Sequence, residues 1–344
     1  MSKFFIGVMT GTSADALDGC IVSFENQFKL IESESINLEA SYKKSYENCI
    51  KIGYKTVDES NILLDLEEKL NDKTIKLVKK LLKDSNLDSS QIESVAFSGQ
   101  TVFHTDQKSY QIGNATEIAK SLGIKVVSDF RNFDISKGGK GAPLIPAFHN
   151  YLYSEENKKV LIFNIGGIAN GTYLNDKKIV LASDIGPGNC LIDFVASEKL
   201  NKRFDENGES AKTGKLSKNI IENLIKEYDK KFNIYPRADD KRNYYYLLET
   251  SVQEMNPNDA LRNLTELTAQ KIKDFFDYCN KPEEVIFHGG GTKNLFLMSL
   301  IENKLGQKIK TTDDQIMSKF VEAAGFAYLA YLNKGVVYDG NAKL

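Results

Sequence analysis

The sequence predicts a duplicated α/β fold, two similar units each built from a three-strand run crossed by helices. Three observations predict it. An apolar, β-rich hairpin pattern occurs twice, around Gly7–Gly19 and again around Ile165–Asn170. Each hairpin connection carries glycine and polar residues where a bare hairpin needs only a two-residue turn. After each run the same order follows: helix, strand ending in a glycine turn, helix, strand. Ligands of such sheets gather at strand ends and domain interfaces, so a ligand cleft between the halves is expected.

Composition sets the bounds. With 344 residues, 41% of them hydrophobic, the chain is long enough for a large core and about two domains. Lys+Arg 45 against Asp+Glu 47 leaves a net charge of -2, which is no electrostatic footprint for nucleic acid. Cys20, Cys49, Cys190 and Cys279 are scattered without metal-type spacing and read as reduced thiols. Met1-Ser2-Lys3 leads into a strand without an apolar leader, and no apolar run approaches the ~18 residues of a membrane span. A cytoplasmic protein that engages neither membrane nor nucleic acid is the expectation.

Strands are expected at Lys3–Met9, Gly19–Phe24 and Lys29–Leu38. In 61–83, Ile62, Leu66, Leu70, Leu77 and Leu81 recur at helical spacing among charged residues. Ser94–Phe97 is a strand ending in the turn Ser98-Gly99-Gln100-Thr101. Asn114 caps a helix over Ala115–Leu122, Gly123 stops it, and Ile124–Ser128 is a strand. The second series has strands at Lys159–Asn164, Gly171–Leu174 and Lys178–Ala182, then a long helical insertion. Leu261, Leu264, Leu267, Ile272, Phe275 and Phe276 mark an amphipathic helix over 259–279. Glu284–Phe287 leads into Gly289-Gly290-Gly291, followed by a helix at 295–304, a strand at 309–311 and a last helix at 315–332. Domain boundaries follow: 1–130, joined by the C-terminal helix at about 315–344, and 131–314 with the insertion.

The first hairpin turn carries the densest chemistry. Gly11 lets the backbone approach a ligand, and successive N–H groups of such a turn cradle anionic oxygens. Thr12 and Ser13 add short donors, while Asp15 and Asp18 repel bare phosphate but hold Mg²⁺ or its waters. Phosphate with magnesium is one reading; a polar turn with solvated aspartates is the other. Converging glycine turns resemble the superfamily of actin, hexokinase and the seventy-kilodalton heat-shock ATPases, a duplicated ribonuclease H-like fold. That resemblance implies that Gly11, Thr12, Ser13, Ala14, Asp15, Ala16, Leu17 and Asp18, with Gly166 and Gly167, grip the phosphates of ATP. It implies that Gly289, Gly290 and Gly291 receive the adenosine.

Further blocks narrow the resemblance. These are Ser128–Asp134 with Gly138–His149, Asp184–Asp193, His288–Asn294 and Glu322–Ala330. Together with the opening loop, in this order, they resemble the anhydro-N-acetylmuramic acid kinases over nearly the whole chain. The resemblance implies an ATP- and Mg²⁺-dependent kinase, a homodimer, that opens a 1,6-anhydro sugar with water and phosphorylates the freed O6. Asp184 matches the family's general base, Arg131, Asp134, Asn189 and Glu322 fall among its sugar contacts, and Asp15 is its metal ligand. For Arg131 and Asp134 a mutual ion pair is the competing reading, and Asp193 serves either function or helix structure. A levoglucosan-like kinase and a non-catalytic sugar sensor are the alternative functions.

Three departures stand out. Ala16 occupies a position that is glycine in the family pattern, which costs about 1 kcal/mol if positive φ is needed there. Ser98 stands where the family has histidine, and Arg237–Arg242 replaces a family segment, followed by Tyr244-Tyr245-Tyr246.

Overall fold

The computed structural model describes residues 3–52, 57–105 and 107–340. The chain-start expectation on Met1-Ser2 and the last four residues of the 315–344 segment lie outside the described residues. The chain divides into two compact units, one running to Phe148 and resuming at Phe320, the other spanning His149–Lys319. Residues 131–148, assigned by the sequence reading to the second domain, thus fall in the first unit.

In the first unit Phe4–Met9, Ala16–Ser23 and Lys29–Asn37 form an antiparallel meander. Ile92–Phe97 lies parallel to the first strand, and Val126–Ser128 parallel to it in turn. Val336–Tyr338 closes the six-stranded sheet antiparallel to Val126–Ser128, a strand the sequence pattern did not reveal. Two helices sandwich this sheet. On one face, helix Val57–Ser85 buries Leu66, Leu70, Leu77 and Leu81 completely. Each such side chain contributes roughly 1.5–3 kcal/mol relative to exposure. Ile62 of the expected stripe is 40% exposed, and Leu63 takes the inward position. Gly19 permits this contact: a Cβ there would meet Leu77 at 2.9 Å. On the opposite face helix Val321–Tyr331 lies still closer, since a Cβ on Gly7 would fall 1.8 Å from the carbonyl oxygen of Ala323.

The last helix begins at Val321, not Gln315. The reason is local: Asp313 accepts hydrogen bonds from the backbone N–H and hydroxyl of Ser318, at 2.7 and 3.0 Å, which holds 312–320 in short turns. The helix expected at Ala115–Leu122 is present as read. The Asn114 side chain accepts from Glu117 N–H at 3.0 Å, and Gly123 ends it at φ 66°.

The second unit repeats the plan. Lys159–Ile165, Ile168–Asn175 and Lys178–Pro187 form the meander; Glu284–His288 lies parallel to Lys159–Ile165, and Lys310–Thr311 parallel to that. The strand orders match from the outer meander strand to the second parallel strand. Helix Pro257–Tyr278 packs Phe275 against Gly171, where a Cβ would sit 2.5 Å from the ring. The insertion packs Leu191, Tyr228, Tyr244 and Leu247 into one core with Leu261 of that helix. The four cysteines are buried and unpaired with one another. Among the described residues no helix is long and apolar enough to cross a membrane.

Candidate active site

The hairpin turn of the first unit is shorter than the sequence motif suggests. Met9 pairs with Asp18 and Val8 with Gly19, so Ala16, Leu17 and Asp18 belong to the second strand. Leu17 is fully buried, and Ala16 is extended opposite Asn37. The strain expected at Ala16 is therefore absent; it sits on Ala14, fully buried at φ 49°. The tip, Thr12 and Ser13, is exposed, and a Cβ on Gly11 would meet nothing closer than 3.8 Å. A ligand can approach this turn.

A residue outside the motif holds the turn. Gln100, fully buried, donates from Nε2 to the carbonyl of Gly11 at 2.9 Å and accepts from the Thr10 hydroxyl at 2.9 Å. The Ser98 hydroxyl, standing where a histidine was expected, is 3.4 Å from Thr10 N–H. The two carboxylates have distinct partners: Asp15 pairs with Lys43 at 2.9 Å, and Asp18 accepts from the Ser35 hydroxyl at 2.7 Å.

Arg131, Asp134 and Glu322 also lie in the first unit. Arg131 donates to the carbonyl of Gly141 at 2.8 Å, and Asp134 accepts from Gly141 N–H at 2.8 Å. The two side chains thus shape one glycine loop, and a Cβ on Gly139 would fall 2.0 Å from the Asp134 carboxylate. Glu322, in the first turn of its helix, is held up to about 7 by its removal from water and by the Asp18 carboxylate; Arg131 opposes the rise. Burial outweighs the nearby cation. A carboxyl group poised near neutrality is characteristic of functional sites.

In the second unit the glycine turns meet. Gly188, Asn189 and Cys190 N–H groups bond to the carbonyls of Gly166 and Gly167 at 2.9–3.0 Å, and the Asn189 amide adds a bond to Gly166 at 3.0 Å. A Cβ on Gly289, at φ 90°, would strike Asn164 Oδ1 at 2.2 Å, and one on Gly291 would strike Ile165 at 2.3 Å. Gly290 faces open space. Helix Cys190–Leu200 starts beside this stapled turn, a geometry suited to anions, and Asp193 sits in its first turn.

Asp184 lies within the outer meander strand, which continues to Pro187 beyond the expected end at Ala182. Register places His288 beside Asn164, Asn164 beside Asn170, and Asn170 beside Asp184, one polar row across the sheet. The Asp184 carboxylate accepts from Asp239 N–H at 2.7 Å, and its own N–H donates to the carbonyl of Arg237 at 3.0 Å. The divergent 237–242 segment is thus the support of Asp184. His149 and His288 form a buried pair at the end of the same row.

Two sheets of one strand order, each with a glycine-bearing first hairpin, define the duplicated ribonuclease H-like fold of the actin-like ATPases. Solved structures agree at the level of fold. The activator of 2-hydroxyisocaproyl-CoA dehydratase from Clostridium difficile with bound ADPNP has TM-score 0.51 and 12% identity, covering 96% of this chain and 95% of that one. Component A of (R)-2-hydroxyglutaryl-CoA dehydratase from Acidaminococcus fermentans has TM-score 0.52 and 11% identity, covering 97% and 99%. In sequence, the family model for anhydro-N-acetylmuramic acid kinase matches residues 3–336. Proteins of that name from Idiomarina loihiensis and Pasteurella multocida are 32% and 33% identical, each over 96% of this chain and over 92% and 90% of their own lengths. The chain belongs to the anhydro-N-acetylmuramic acid kinase family.

Proposed function

We propose that this chain is an ATP-dependent kinase that adds water across the internal ether of 1,6-anhydro-N-acetylmuramic acid and phosphorylates the freed O6, in the recycling of cell-wall sugars. Family membership over nearly the whole chain supports the reaction class. The observation that carries the chemistry is the placement of Asp184, partly exposed at the end of a polar row and beside the register shift between Asp184 and Gly186. In this reading Asp184 takes a proton from water as its oxygen bonds to the anomeric carbon. The bond from that carbon to O6 breaks, O6 takes the γ-phosphoryl group, and ADP leaves. Placement within reach of the water matters before acidity does.

The two hairpin turns supply phosphate contacts through backbone N–H groups, and the open face at Gly290 accommodates the adenosine. The side chains of Ala14 and Leu17 are buried and so do not reach a ligand; the exposed tip, the backbone of 11–15 and the partly exposed Asp15 carboxylate suit one. Mg²⁺, when bound, neutralises phosphate charge. Asp15 would hold it together with water and phosphate oxygens, the usual donor set for this ion. Arg131, Asp134, Asn189 and Glu322 are assigned to the sugar, the first two by shaping the Gly138–Gly141 loop. The reading extends to a cytoplasmic homodimer, which sedimentation of the purified protein tests.

The decisive test is coupled ADP release measured across several anhydro sugars in ¹⁸O water. Turnover with 1,6-anhydro-N-acetylmuramic acid and label at the anomeric oxygen is expected. A preference for levoglucosan overturns the substrate, and absence of ADP release with every sugar overturns the kinase.

A further inference from the structure

We infer that Arg237 is a positioning residue for Asp184, acting through the backbone of Asp239; this rests on the reading of Asp184 as the base. Residues 232–240 have no regular secondary structure, so their path depends on side-chain ties. Those ties converge on Arg237. Its Nε meets the Asp239 carboxylate at 2.8 Å, with the two side chains only 13% and 5% exposed. Its other arm donates to the Tyr228 hydroxyl, which in turn donates to the carbonyl of Ile185 at 2.8 Å. Tyr235 stacks under the guanidinium at 4.8 Å, and the Tyr244 hydroxyl donates to Asp239.

The latch therefore grips the active strand on both sides of Asp184. At Ser183 the hydroxyl accepts from Arg237 N–H at 3.0 Å, and at Ile185 the carbonyl receives Tyr228. Between them Asp239 N–H pins Asp184 Oδ2 at 2.7 Å. A carboxylate with one oxygen pinned loses its freedom to turn about Cβ–Cγ, so the direction of its proton-accepting oxygen is set. A backbone N–H donor also favours the ionised form, the form a base needs. Arg suits this place where Lys does not. A planar fork serves the carboxylate, the phenol and a stacked ring together, whereas an ammonium is a point charge.

The test compares the full-length protein with Arg237→Met/Asp239→Asn and with Tyr244→Phe. The double variant removes both buried charges together, which avoids leaving one unpaired. A positioning role predicts kcat lower by about 10–10²-fold in the double variant, because small misplacements of a reacting group cost that much. It predicts unchanged KM for ATP and an acid limb of the kcat/KM profile moved to higher pH. Tyr244→Phe, which keeps the ring, should shift both readouts in the same direction and less. Either variant folded with wild-type kcat and an unmoved acid limb overturns the inference. So does loss of activity that only tracks the folded fraction in thermal melts. Asp184→Asn run alongside separates the two claims: if it stays active, the base assignment fails whatever Arg237 does.

Discussion

His149 and His288 face each other through their Nε2 atoms at 2.9 Å, with both rings essentially buried. His149 Nδ1 continues the chain to the Thr172 hydroxyl at 2.9 Å. One proton lies between the two Nε2 atoms, and burial disfavours adding a second charge-bearing proton to the pair. Burial pushes His288 down to about 3, and burial together with His288 pushes His149 well below the ordinary histidine range. A histidine depressed on folding leaves stability intact above the unfolded value near 6.5 and removes it as pH falls toward the folded one. Each such group contributes a slope of about 1.4 kcal/mol per pH unit in that window. Stability against urea should therefore fall steeply from pH 6.5 to 4.5, and His149→Gln should flatten the slope. An identical slope in the variant would remove the pair as its source.

Glu322 carries the opposite sign. Its folded value is raised to about 7, so its stabilising contribution is complete below the unfolded range and is lost as pH rises through 7. Glu322→Gln should melt higher than the parent at pH 8 and alike at pH 4.5. If Glu322 also contacts the sugar, the same variant raises KM for sugar without changing KM for ATP. Equal melting at pH 8 would show that the carboxylate is not held out of water.

Gln100 is predicted to matter to a loop it does not belong to. Gln100→Ala leaves the Gly11 carbonyl and Thr10 hydroxyl without their partner, both at 2.9 Å in the native fold. Loss of buried hydrogen bonds of this kind costs about 1–3 kcal/mol. KM for ATP should rise several-fold as the turn loosens. Ala14→Gly should change stability little, because the relief of positive φ is offset by chain entropy and by loss of the buried methyl, leaving a net within about 1 kcal/mol. Denaturant midpoints and ATP titrations read both.

Asp15→Asn should weaken Mg²⁺-dependent turnover far more than folding. The competing role is the ion pair with Lys43, in which both side chains are about a third exposed. Pairs of that kind contribute roughly 0–1 kcal/mol. Titrating Mg²⁺ at fixed ATP discriminates: a right-shifted metal dependence supports the ligand role, and a small change in melting alone supports the ion pair.

Asp184→Asn keeps shape and most polar contacts while removing the base. Loss of a general base lowers rates by about 10²–10⁴-fold. Sugar phosphate and ring-opened sugar should disappear together, with ATP and sugar still binding by calorimetry. Substantial turnover by the folded variant, with solvent oxygen still entering at the anomeric carbon, would refute the assignment.

Much of this molecule was legible in its sequence wherever the cause is local. Asn114 and Gly123 bound their helix because a cap and a left-handed stop act within a few residues. Leu66, Leu70, Leu77 and Leu81 announce a buried face because helical period alone aligns them. The family blocks and the repeated order of elements pointed to the fold and the reaction class. Tertiary structure decided what depends on register and on distant partners. Whether Asp18 belongs to turn or strand depends on its pairing with Met9. Gln100 reaches Gly11 across 89 positions, His149 meets His288 across 139, and Asp239 pins Asp184 across 55. No local period or motif encodes such contacts, because they exist only once strands have chosen neighbours and helices have closed over the sheets.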